Sequence, residues 1–189
     1  METYQIILAL LVLLAGACVV WAYNTLVKAR NQMREGWSGI EVQLKRRHDL
    51  IPSLVQCVKG YQTHERELLE TVARERTEAQ AARGAGEVGG AERSLGRDLG
   101  KIVALAEDYP DLKADQSFRQ LMGELVEIEE QIQFARRYYN GSVRDMNNVI
   151  ESFPSNLIAT MFRFAPANFF EVENASERLA PDLAKALRE

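Results

Sequence analysis

The chain has 189 residues, with 23 Lys or Arg against 27 Asp or Glu, two His and two Cys. That length suits one domain plus an anchor rather than two independent domains. Two Cys cannot build a disulfide framework, two His cannot supply most zinc spacings, and a formal net charge of −4 lacks the basic excess of a dedicated nucleic-acid binder.

Residues 6–23 (IILALLVLLAGACVVWAY) contain no charged side chain. Eighteen residues at ~1.5 Å each cover nearly 30 Å, about the hydrocarbon thickness of a bilayer. Tyr4, Trp21 and Tyr23 stand where an aromatic belt would hold the two interfaces. A cleaved signal peptide would need a basic start, whereas METYQ carries only an acid, and the apolar run continues past the small residues Ala15, Gly16 and Ala17. Lipidation at Cys18 fails on the same two counts. The segment is therefore expected to be an uncleaved transmembrane anchor. Lys28, Arg30 and Arg34 follow it while only Glu2 precedes it, so the positive-inside rule expects the N-terminus outside and the rest cytoplasmic. In that compartment Cys57 is expected to be a reduced, buried thiol.

After the anchor every apolar set follows helical spacing. Met33, Trp37, Ile40, Leu44 and Ile51 continue the span as a first helix, with Gly36 and Gly39 free to permit close packing or a bend. Pro52 is expected to end it, and Asp49 to cap a second helix carrying Leu54, Val55, Val58, Tyr61, Leu68, Leu69 and Val72. Gly84 to Gly90 (GAGEVGG) is expected to be a flexible loop. Its match to G-x-G-x-x-G lacks the preceding strand that a dinucleotide site requires. A third helix uses Leu95, Leu99, Ile102, Val103 and Ala106 and stops at Tyr109-Pro110. A fourth repeats apolar residues three or four apart from Phe118 to Tyr139, extends through Met146 and Ile150 to Phe153, and ends at Pro154. Connections at 49–52, 84–91 and 110–114 would make consecutive helices antiparallel neighbours. The fold class expected is all-α: an N-terminal transmembrane helix continuing into an antiparallel up-and-down four-helix bundle.

Charge adds a pairing. Residues 24–60 hold seven bases and three acids, net +4, and residues 107–130 hold eight acids and two bases, net −6. In an up-and-down order Lys45–Arg47 and Glu124–Glu130 both lie in the distal half and could face one another. Residues 153–170 contain five Phe. Two readings of this tail stand: it folds over the end of the bundle and caps the core, or it lies at the membrane interface. Residues 173–189 form a polar tail.

Catalytic chemistry is not visible. Di-iron bundles need Glu-x-x-His on two helices, but neither His48 nor His64 has a Glu three residues before it. His64-Glu65 lacks the second histidine of H-E-x-x-H, and Ser38, Ser53 and Cys57 have no evident base and orienter. His48, after a basic run, is expected to be solvated. No enzyme, cofactor or metal site is expected, and the charged residues beside Ile128 are expected to form a wet helix flank.

Specific runs carry a resemblance. They are YNTLVKARN at 23–31, WSGIEVQLKRRHDLIP at 37–52, VKGY at 58–61, His64-Glu65, YPDLKA at 109–114, ARRYYN at 135–140, FPSNLIA at 153–159 and FFE at 169–171. In this order and combination the chain resembles the LemA family over roughly residues 20–172. Departures are small: Gly36 where the family tends to have Ala, Glu41 for Asp and Ser53 for Asn. The resemblance implies a bacterial single-pass inner-membrane protein with a cytoplasmic four-helix bundle, and implies neither a catalytic residue nor a cofactor. The organisation expected is an anchor at 1–23, a bundle at 24–172 and a polar tail at 173–189. The leading expectation is a non-enzymatic, membrane-tethered scaffold or adaptor. It would hold the bilayer through residues 6–23 and present a surface to a membrane-protein partner or a second copy of itself. Candidate surface residues are Lys45, Arg46, Arg47, Phe162, Phe164, Phe169 and Phe170. The alternative is a small-ligand-binding or signalling bundle, with polar atoms gathered around Tyr61, Tyr109, Tyr139 and Asn140 beside a cavity.

Overall fold

The computed structural model describes residues 2–59 and 66–170; Tyr61, His64 and the polar tail lie outside them. The described residues form six helices and no strand: α1 Glu2–Lys59, α2 Arg66–Ala81, α3 Gly84–Glu107, α4 Pro110–Ala114, α5 Gln116–Glu151 and α6 Ser155–Met161. The all-helical expectation holds. The boundaries differ at 49–52, at 84–91 and at 110–114, all three of which are helical.

Pro52 does not end the first helix. α1 runs unbroken for 58 residues, about 87 Å at 1.5 Å per residue, and Leu54, Val55 and Val58 belong to it rather than to a second helix. A proline inside a helix lacks the amide that would bond the carbonyl four residues earlier, here that of His48. That carbonyl instead accepts from the Nε of Arg76, reaching across from α2 at 2.7 Å. The helix is thus completed by a side chain from its neighbour, and Pro52 stands on the exposed face. Asp49 caps nothing; it pairs with Lys45 one turn back, and the Lys45 hydrogen bond holds its carboxyl below the usual range.

The glycine-rich segment is likewise helical. α3 starts at Gly84, whose φ of 75° only glycine adopts without strain. The Glu87 carboxylate accepts from the Arg83 amide, and Val88 and Gly89 are buried, so the segment is held by its own polar start and by packing. Among the described residues the connections therefore fall at 82–83, 108–109, 115 and 152–154, not at 49–52, 84–91 and 110–114.

α1 packs along α5, α2 lies against α3 and α1, the short α4 joins α3 to α5, and α6 lies on α1 and α5. The α1–α5 approach is close at Gly36, where an added Cβ would meet Tyr138 Cδ1 and Tyr139 Cα at 3.1 Å; at Gly39 such an atom would meet nothing within 4 Å. Asp115 caps α5, its carboxylate accepting from the Phe118 amide at 2.9 Å. Two apolar clusters form. One gathers Ile51, Leu54, Val58, Leu69, Val72, Leu95, Ile102 and Phe118. The other gathers Ile40, Leu44, Val88, Ile128, Ile132, Tyr139, Val143 and Phe170. Every residue from Glu2 to Trp21 is exposed, whereas Ala22 and Leu26 are fully buried. Among the described residues α1 is the one helix long and apolar enough to cross a membrane.

Candidate functional site

Between the two apolar clusters lies a buried ionic layer. On α1 the apolar stripe runs Ile40, Leu44, Ile51, and the positions between Leu44 and Ile51 are taken by Arg47 and His48, 5% and 6% exposed. On α3 the stripe runs Val88, Leu95, Leu99, with Glu92 in the gap, 4% exposed. Helical periodicity thus turns three polar side chains into the core. Arg47 donates from one terminal nitrogen to Glu92 Oε2 at 3.2 Å, and its other terminal nitrogen forms an ion pair with Glu129 Oε1 at 2.8 Å. His48 Nε2 and Glu92 Oε1 share a hydrogen bond of 2.6 Å. Glu92 therefore has both oxygens engaged, and the layer ties α1, α3 and α5 into one register. The space beside the Arg47 guanidinium exists because residue 96 is glycine: an added Cβ would sit 2.9 Å from its terminal nitrogen.

His48 is not solvated, then, and the basic run is not one surface. Lys45 is exposed and paired with Asp49, Arg46 is exposed and donates to Gln43 at 3.2 Å, and Arg47 is core. The expected facing of the basic and acidic blocks is met at Arg47 and Glu129. Glu92 could have been found in the sequence, since a Glu four residues after Val88 and three before Leu95 interrupts an apolar stripe. Beside this layer an open groove of about 600 Å³ is lined by Trp37, Leu44, His48, Arg83, Val88 and Glu92, and the Trp37 indole donates to Glu41 at 2.7 Å.

The aromatic tail divides. Its first part, α6, packs where α1 emerges from its exposed stretch. Phe162 stands 4.9 Å from the Tyr23 ring, Phe164 stands 6.1 Å from it, and the Arg30 guanidinium lies 5.0 Å above Phe164. Its second part is strapped along α5. The Asn147 side chain accepts from the Ala167 amide and donates to its carbonyl, and Asn140 does the same for Phe170. The Tyr139 hydroxyl donates to the Asn168 carbonyl at 3.0 Å. These clamps set Phe170 into the core against Trp37, 6.1 Å between rings, and leave Phe169 half out. Burial raises the Tyr139 phenol above its ordinary value. The capping reading is met at Phe170. Asn140 and Asn147 are seven residues apart and so share a helix face, a spacing that could have marked them as tail anchors.

Tyr139 and Asn140 are thus used by the tail, while Tyr109 packs on the other cluster, so the polar gathering expected for a ligand site is not assembled among the described residues. Cys57 is half-buried, its thiol 3.8 Å from Asp115 Oδ1; burial first, then that carboxylate, raises its pKa.

The LemA family model matches residues 36–184, well over half of the chain. The chain belongs to the LemA family. Among curated relatives, the magnetosome protein MamQ 2 of Paramagnetospirillum magneticum is 26% identical over 90% of this chain and 73% of its own length. The magnetosome protein MamQ of Magnetospirillum gryphiswaldense is 23% identical over 92% and 74%. Protein LemA of Metamycoplasma hominis is 26% identical over 72% of this chain and 63% of itself.

Proposed function

We propose that this LemA-family chain is a non-enzymatic, membrane-tethered scaffold or adaptor. In this reading α1 crosses the bacterial inner membrane once with its N-terminus outside, and α1, α2, α3 and α5 form an up-and-down bundle in the cytoplasm. The observation that carries it is the continuity of α1, whose exposed apolar residues lead directly, without a loop, into the buried Ala22 and Leu26. Such a helix couples whatever binds the bundle rigidly to the bilayer. Its ionic layer has every carboxylate oxygen of Glu92 occupied, which suits a register lock better than a proton-transfer site. The exposed faces offer partner contacts: on α5, Val126, Phe134 and Tyr138 are all outward, Phe134 at 67%.

Photo-crosslinking in cells from positions 126, 134 and 138 tests this. Recovery of one membrane protein supports the adaptor, self-crosslinks alone support a homo-oligomeric scaffold, and silence at all three refutes both. A second reading, a small-ligand-binding or signalling bundle, is favoured by the groove beside Trp37. Its test is a change in Trp37 emission when the protein is titrated with a metabolite extract, and a flat response counts against it.

A further inference from the structure

α5 and α1 run antiparallel, with Gly36 beside Tyr139 and Arg47 paired with Glu129. Extending that register places Glu151, the last residue of α5, level with about Asn24 to Thr25, less than two turns beyond the end of the exposed apolar stretch of α1. α6 therefore sits at the boundary between the packed core and the segment read as the membrane span. Its inner face, Ser155 and Ala159, is buried. Its outer face is apolar: Leu157 and Met161 are 61% and 74% exposed, and Phe153, in the turn that precedes the helix, is 80% exposed. The adjoining Phe162 ring packs on Tyr23, an aromatic at the end of the span, and Lys28 and Arg163 are exposed on the same end of the molecule.

We infer that α6 is a second membrane contact, an interfacial helix whose Leu157 and Met161, with Phe153 in the turn before them, enter the headgroup–acyl boundary beside α1. A short amphipathic helix with aromatic and aliphatic side chains on one face and cations nearby has the composition that lies in this plane. This outer face is continuous with the apolar surface of α1 through the Tyr23–Phe162 contact, so lipid that surrounds the one reaches the other. Two attachment points, a span and a flanking helix, hold the bundle against tilting about α1. The inference rests on α1 being a membrane span.

The test uses full-length protein with single tryptophans in vesicles of phosphatidylcholine and phosphatidylglycerol brominated near the carbonyl end of the acyl chains. In a Trp21→Phe, Trp37→Phe background, Leu157→Trp or Met161→Trp replaces a side chain that already faces outward. Emission from both is expected to be quenched as strongly as that of Trp21 in Trp37→Phe protein. Phe134→Trp, about 26 Å back along α5 from Glu151 at 1.5 Å per residue, should keep its emission. Quenching at Trp21 with none at 157 or 161 overturns the interfacial helix and leaves the span intact. No quenching at Trp21 overturns the span and the inference with it.

Discussion

Arg76 and Pro52 should be energetically coupled although their side chains have no chemistry in common. The link is the His48 carbonyl, which Pro52 deprives of its intrahelical donor and Arg76 supplies at 2.7 Å. Arg76→Met keeps most of the stem and removes the donor. A hydrogen bond from a charged donor contributes about 1.5–3 kcal/mol, and a carbonyl left without a partner costs about 1–3 kcal/mol. Because Arg76 is only half-buried, the lower end applies, about 1–2 kcal/mol. In a Pro52→Ala chain the alanine amide can bond the His48 carbonyl in the ordinary way, so the same Arg76→Met change should cost no more than about 0.5 kcal/mol. The coupling is then about 1 kcal/mol. Pro52→Ala by itself should stabilise: the helix interior penalty of proline, up to about 3 kcal/mol, exceeds the ~0.4–1 kcal/mol by which proline restrains the unfolded chain. The assay is urea unfolding of the four full-length proteins in one detergent, followed by far-UV circular dichroism, with equal slopes required before midpoints are compared. Simple additivity of the two substitutions, within about 0.3–0.5 kcal/mol, would refute the argument.

Three further outcomes follow from the same geometry. Glu92→Met strands Arg47 in the core with Glu129 as its remaining partner, and should cost about 3 kcal/mol, whereas Arg47→Met with Glu92→Met should recover most of that; both are read by the same unfolding curves. Glu75 on α2 has its pKa raised by burial and by Asp98 on α3. Its protonated form is thus favoured by folding, a contribution fully present below the ordinary glutamate value near 4.3 and lost as pH rises through the raised one. Glu75→Gln should therefore raise the melting temperature at pH 7 and lose that advantage near pH 4, and an unchanged difference across that range would count against the pairing. Removing the clamps with Asn140→Ala and Asn147→Ala should cost about 1 kcal/mol each and release residues 164–170 to limited proteolysis while helix content is retained.

Periodicity in the sequence was sufficient for the helical class and for the stripe of α5, because burial of one face imposes a 3.6-residue repeat that tertiary context rarely erases, and an uninterrupted apolar run marked the exposed start of α1. Position along the stripe also carried information about the ionic layer, since Arg47, His48 and Glu92 occupy gaps where apolar residues are due. What a local reading of Pro52 and the glycine run misses is the neighbour. Proline breaks a helix by leaving one carbonyl without a donor, and only the tertiary structure brings Arg76 to that carbonyl. Glycines weaken a helix by a cost in backbone entropy, which burial of Val88 and Gly89 offsets. The tail is the same case: five phenylalanines announce apolar surface to be covered, but which ring goes into the core depends on two asparagines about twenty to thirty residues earlier, whose side chains reach its backbone. Local sequence determined the helical class and the main apolar stripes; contacts between distant residues decided where those helices could begin and continue and what each exposed face was left to meet.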